Sequence, residues 1–125
     1  GDSLTAFRLR RADGSALWAG GSWRSASRAD QPLGAQAFAA DSVVFEPLRH
    51  WTSPQTRTRY PVAWRVQTPA GQFTVQALVD AQELDSRAST GAVYWEGVCA
   101  LHDVSGALRG HGYLEMTGYA QTLRL

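Results

Sequence analysis

From Arg59 onward the side chains alternate with a period of two. Tyr60, Val62, Trp64 and Val66 fall on one side, with Arg59, Ala63, Arg65 and Gln67 on the other. After Pro69-Ala70-Gly71 the pattern resumes in Phe73, Val75, Ala77 and Val79. Such a period fits a strand with one buried face and fits no helix, and the Pro-Gly punctuation makes the pair a hairpin. The same logic extends along the chain. Leu4 to Arg10 alternates, Asp13-Gly14 is a hairpin signal, and Ala16 to Arg24 is the return strand, with Gly20-Gly21 suggesting a bulge or bend. Ser25 to Gln36 reads as a loop, Val43 to Pro47 as a short strand, and RHWTSPQTRTRYP as an aromatic, proline-punctuated segment. AQELDSRASTG is the best helix candidate, and Gln121 to Leu125 reads as a terminal strand. Roughly seven to nine short strands joined by turns predict an all-β antiparallel fold, a sandwich or an up-and-down barrel. Sequential hairpins without long crossovers favour the barrel, mostly meander, with at most one short helix.

Composition excludes several classes. At 125 residues and 44% hydrophobic, residues 1–125 read as a single domain with enough chain for a core. The lone Cys99 permits no intramolecular disulfide. A net charge of +1 gives no electrostatic case for nucleic acid. No apolar run approaches the roughly 20 residues of a transmembrane segment. All 12 basic residues are arginine, and Lys, Asn and Ile are absent, a bias of GC-rich coding more than of arginine-specific recognition. His50, His102 and His111 lack metal-ligand spacing, so the expected metal set is none.

One polar constellation stands out, at the C-terminal hairpin. If Asp103 to Gly106 is a four-residue loop with His102 facing Ala107, Glu96 lies opposite Tyr113 and Tyr94 opposite Glu115. These four side chains then share a face with Thr117 and Tyr119, while Val93, Trp95, Cys99, Leu101, Leu114 and Met116 form an apolar face behind them. Three readings are open: a solvated face, a structural ladder of tyrosine-to-carboxylate hydrogen bonds, or a pocket in which a carboxyl group with a raised pKa moves a proton. The interleaving of two tyrosines with two glutamates argues against plain solvated decoration. A second feature, the cluster of Trp51, Tyr60 and Trp64, is rich enough to floor a ligand cavity or to fill a core.

The segments WTSPQTRTRYPVAW (Trp51 to Trp64), YWEG (Tyr94 to Gly97) and GHGYLEMTGY (Gly110 to Tyr119) together resemble the second lipocalin-like domain of the carotenoid 1,2-hydratase and AttH-type bacterial proteins. LTAFRLRRADGS, upstream, resembles the strand and turn that lead into that domain. The resemblance implies a lipocalin-like (calycin) β-barrel that is the C-terminal domain of a longer two-domain protein. Its partner would be an N-terminal lipocalin-like domain of the same protein, and its location periplasmic or secreted. The resemblance also implies an apolar small-molecule ligand, isoprenoid or carotenoid in kind. The hydratase branch adds water across a terminal double bond without a metal or organic cofactor, and related fungal proteins cyclise apolar polyketides. The resemblance covers the second domain, and implies a first domain and a Trp-rich strand ahead of a segment like Asp2-Ser3-Leu4.

Three readings follow. A binding domain would use Trp51, Tyr60, Trp64, Tyr94, Tyr113 and Tyr119 as its ligand-binding residues. A hydratase, complete only at full length, would use Glu96 or Glu115 as the catalytic acid, with the π-faces of Trp51, Trp64 or Trp95 stabilising the cation. A structural half would close the first domain and carry no site of its own.

Overall fold

The computed structural model describes residues 2–13, 15–24 and 35–120. Gly14 of the expected first turn, most of the expected loop over 25–36, and the expected terminal strand over 121–125 lie outside these residues. Within them the regular structure is antiparallel β apart from one 3-10 turn at Ala40–Ser42. Hydrogen bonding among the described residues runs in a three-stranded and a six-stranded sheet rather than one closed ring. No helix there is long and apolar enough to cross a membrane.

The chain divides into two compact units. The first comprises Gly1–Phe45 and Val66–Gln72. It holds the sheet β1 (Ser3–Arg10), β2 (Ala16–Arg24) and β3 (Ala35–Phe38), in that order. The pairing of β1 with β2 runs unbroken past Gly20 and Gly21, and its register shift falls instead between Leu9 and Arg10. The two glycines are therefore not a bulge. They make room for β1: a Cβ on Gly21 would sit 2.2 Å from the Thr5 carbonyl oxygen, and one on Gly20 would press the Phe7 ring at 3.0 Å.

The second unit comprises Glu46–Arg65 and Phe73–Leu125. The six-stranded sheet consists of β4 (Val44–Thr52), β5 (Arg59–Thr68), β6 (Gly71–Ala77), β7 (Glu83–Ser86), β8 (Ala92–Asp103) and β9 (Leu108–Met116). Its order is β4-β5-β6-β8-β7, with β9 also on β8. The hairpin of β5 and β6 is the one the alternation predicts, and Tyr60, Val62, Trp64 and Val66 are all buried. Pro61 and Ala63 are buried as well, so this part of β5 is covered on both faces. Strand β4 is longer than expected and runs through Pro47 to Thr52. It ends the strand order, the edge position where a sheet tolerates proline.

The helix expected in AQELDSRASTG does not form. Glu83–Ser86 is a strand against β8, and Ser86 O then accepts from Ser89, Thr90 and Gly91 N in a turn. Strand β8 organises this region. On one side β6 pairs with its C-terminal half (Ala77↔Cys99) and β7 with its N-terminal half (Glu83↔Trp95). Between them the chain detours: Leu78 N still donates to Val98 O at 3.1 Å, and Glu96 N to Gln82 O at 3.3 Å. The detour is fastened from both ends of Asp80. Its carbonyl accepts the Trp95 indole Nε1–H at 2.7 Å, and its carboxylate binds the Arg49 guanidinium at 2.6 and 3.0 Å.

The β8–β9 register also departs from expectation. Asp103 N donates to Ala107 O at 3.0 Å, closing a three-residue loop with Gly106 at φ 85°. A further shift occurs between Leu101 and His102, which pair with Gly110 and Leu108. The two one-residue displacements add, so Glu96 faces Glu115 and Tyr113 faces Val98, not the tyrosine–glutamate pairs expected. Because two steps restore the strand period, the faces survive: Val93, Trp95, Cys99 and Met116 are buried.

These two fastenings of Asp80 should differ in weight. Trp95 is fully buried, whereas the Arg49 and Asp80 side chains are 40% and 36% exposed. Trp95→Phe, which loses the indole donor and leaves a void, is expected to cost about 2–3 kcal/mol in denaturant unfolding. Arg49→Ala should cost less than about 1 kcal/mol. Equal losses would contradict this account of the detour.

Candidate functional site

Glu83 opposes Trp95 across the β7–β8 pair, so both project to the same, apolar side of the sheet. A carboxylate there needs partners, since burying it unpaired is costly. The β4–β5 connection supplies them. Ser53 Oγ donates to Glu83 Oε1 at 2.6 Å, and Thr56 Oγ1 and Tyr60 OH each donate to Oε2 at 2.7 Å. A hydroxyl carries one proton, so Thr58, whose Oγ1 lies 2.8 Å from Thr56 Oγ1, completes the chain as donor to Thr56.

The loop is shaped to present these hydroxyls. Ser53, 1% exposed, accepts Gln55 N and Thr56 N on its Oγ at 3.2 Å each. Its backbone carbonyl takes Arg57 N at 2.9 Å, and Ser53 N donates to Thr58 O at 2.8 Å. Arg57 reverses the chain at φ 59°, a left-handed conformation that a non-glycine residue adopts only when its surroundings hold it there. Burial pushes the Glu83 carboxyl up, but the hydroxyls of Ser53, Tyr60 and Thr56 outweigh it against the small opposing push of Asp85, and the group titrates below its ordinary value. The Tyr60 phenol moves the other way, raised by burial and then by its hydrogen bond to Glu83 and that residue's negative charge.

Tyr60 is also the middle of an aromatic row. Its ring stacks with Trp51 at 6.2 Å and 20°, and meets Tyr119 on the other side at 5.8 Å and 41°. Three of the residues expected to bind ligand, Trp51, Tyr60 and Tyr119, are thus brought together. Trp51 and Tyr119 are half-buried and Tyr60 is fully buried. Trp64, on the same face of β5, lies in the core at 5% exposure.

The other expected residues form a separate group on the outward side of β8 and β9. Tyr94 and Glu96 are half-buried, Glu115 is exposed, and Tyr113 is 66% exposed. The Tyr113 phenol is raised by desolvation, then by the charges of Glu96 and Glu115, the proximity of Tyr94 and a hydrogen bond to Glu96. The register thus sets Tyr113 diagonal to Glu96 rather than straight across from it. Direct opposition of Glu96 and Glu115 is mildly unfavourable, as for any like-charged cross-strand pair.

Glu83 is the residue sequence reasoning missed. It lay in a segment read as helix, where its phase relative to the apolar face could not be assigned. The available signal was indirect: Ser53, Thr56, Thr58 and Tyr60, four hydroxyls within one short connection, call for a shared acceptor. The YWEG run has a packing explanation instead. Trp95 fastens the Asp80 detour, and a Cβ on Gly97 would meet Gln82 Cγ at 3.1 Å and the Trp95 ring at 3.2 Å.

The described residues form an all-β antiparallel fold, and its likeness to known proteins identifies it as a lipocalin-like domain. The family model for AttH-like proteins matches residues 1–119, and the chain belongs to that family. A crystal structure from Nitrosomonas europaea, provisionally described as an AttH, superposes with a TM-score of 0.86 at 44% identity. The match takes in 95% of this chain and 35% of that one, so the chain spans about a third of its relative's length. No curated protein matches.

Since the folded-state pKa of Glu83 is depressed, its stabilisation is complete above the ordinary glutamate value of 4.5 and is lost as pH falls through the lower folded value. At neutral pH, Glu83→Gln should be less stable than wild type by about 2 kcal/mol. The gap should narrow below pH 4.5 in pH-dependent denaturation. A gap that stays constant across that window would show that Glu83 is not held as a carboxylate.

Proposed function

We propose that this lipocalin-like domain of an AttH protein binds an apolar small molecule, isoprenoid or carotenoid-like, against Trp51 and Tyr119, with the buried Tyr60 between them as backing. The observation that carries this reading is the row itself, with Tyr60 buried at its centre and Trp51 and Tyr119 half-buried on either side. Aromatic faces of this kind offer large contact area at little entropic cost. The family's resemblance to carotenoid-acting proteins supports the ligand class. It also supports an N-terminal lipocalin-like domain as the partner and a location outside the cytoplasm.

Glu83 favours binding over hydration as the role of this face. Protonating an alkene needs a carboxyl group that holds its proton at working pH, which requires a raised pKa. Three donated hydroxyls lower that of Glu83 instead. Glu96 and Glu115, the expected acids, lie on the outward side of β8 and β9, away from the aromatic row.

Titration of the full-length protein with an acyclic carotenoid in detergent, followed by tryptophan fluorescence, tests the reading. Saturable quenching is expected, weakened about tenfold in Trp51→Ala, the equivalent of one well-packed ring contact. No saturable quenching, or quenching unchanged in Trp51→Ala, would overturn it.

A further inference from the structure

Glu83 binds three hydroxyls, and only one of them belongs to the aromatic row. Ser53 and Thr56 tie the connection between β4 and β5 to β7, whereas Tyr60 carries a ring that touches both Trp51 and Tyr119. A tyrosine ring can rotate and tilt about its side-chain bonds, and the angle of this one decides whether it stacks on both neighbours. Its phenol is held at 2.7 Å by an acceptor on a different strand, which restricts that motion. We propose that Glu83 is the positioning residue of the aromatic row, setting the plane of Tyr60 and through it the ligand platform formed with Trp51 and Tyr119. The inference rests on the ligand reading above and deepens it.

The geometry separates this role from mere support of the loop. Hydrogen bonds to a charged acceptor are short and directional, and both Oε2 contacts are 2.7 Å. Tyr60 has no exposed surface, so its hydroxyl depends on partners inside the protein, among which Glu83 at 2.7 Å is the charged acceptor. Loss of the acceptor would leave a buried phenol without its partner, and the ring would reorient to find another. Loss of Ser53 or Thr56 as donors leaves the Tyr60–Glu83 bond in place.

The test compares Glu83→Ala, Glu83→Gln, Tyr60→Phe, Ser53→Ala and Thr56→Val in the full-length protein. Two measurements are made on each: the dissociation constant for anilinonaphthalene sulfonate as apolar probe, and the near-ultraviolet circular dichroism that reports the Trp51–Tyr60 stack. Tyr60→Phe keeps the ring and removes only the bond to Glu83. It should weaken probe binding about fivefold to tenfold and reduce the aromatic dichroism, as should Glu83→Ala. Glu83→Gln keeps an acceptor oxygen and should recover part of both signals. Ser53→Ala and Thr56→Val should lower the melting temperature yet leave affinity within about twofold of wild type.

Wild-type affinity and dichroism in Tyr60→Phe would overturn the proposal. So would losses in Ser53→Ala and Thr56→Val that match those in Tyr60→Phe, because Glu83 would then act on the loop alone. If wild type binds no probe, the ligand reading is what fails, and the dichroism of the same variants still decides whether Glu83 sets the ring.

Discussion

The carboxylate of Glu83, taken onto the apolar side of a sheet and held there by three hydroxyls, is the interaction on which this region depends. Desolvation alone would push its proton on and leave a polar group poorly matched to its surroundings. The hydrogen bonds from Ser53, Thr56 and Tyr60 reverse that balance, and hydrogen bonds to a charged group contribute about 1.5–3 kcal/mol each. In return the carboxylate joins segments far apart in sequence. Ser53 precedes it by 30 residues and Tyr60 by 23. The loop from Ser53 to Thr58, with its left-handed Arg57, is built to deliver its hydroxyls to this one acceptor.

Strand β8 is the second organising element. It pairs with β6, β7 and β9, and the chain between β6 and β7 leaves and rejoins the same edge. The turned carbonyl of Asp80 in the detour is satisfied by Trp95, from the far end of a buried indole. The fastening holds the detour immediately before β7, whose ladder with β8 then brings Glu83 opposite Trp95. Core packing and candidate site therefore share a cause. The tryptophan that stabilises the sheet also fixes the strand that carries the carboxylate.

Much of the architecture was legible in the sequence where periodicity was strong. The alternation from Tyr60 to Val66 predicted a buried face that is buried, and the two faces of β8 and β9 came out as expected as far as Met116, where β9 ends; Tyr119, expected on the polar face with Tyr113 and Glu115, meets the buried Tyr60 instead. Two kinds of information were not legible. Register depends on bulges, and the extra residue near Arg109 leaves no mark in a pattern of period two. Strand β7 is only four residues long, Glu83–Ser86, too short for any period to show against the helix-forming residues around it. That ambiguity hid Glu83, while the exposed Glu96 and Glu115 drew notice because their strands were easy to read. Trp51 and Tyr119 were identified as aromatic candidates, but their meeting on Tyr60 required the fold.

An AttH-like domain so arranged keeps a polar network beside an aromatic row, and the proposed role of that network rests on Glu83 holding the loop and Tyr60 in place. The most direct measurement of that claim is amide hydrogen exchange of Gln55, Thr56 and Arg57, whose N–H groups bond to Ser53, in wild type and in Glu83→Ala. The account predicts that protection falls by about tenfold or more at these three amides, the equivalent of losing about one hydrogen bond's worth of local stability, while the β8–β9 amides hold theirs. Unchanged protection at Gln55, Thr56 and Arg57 would contradict it, because the loop would then be stable without the carboxylate it is said to depend on.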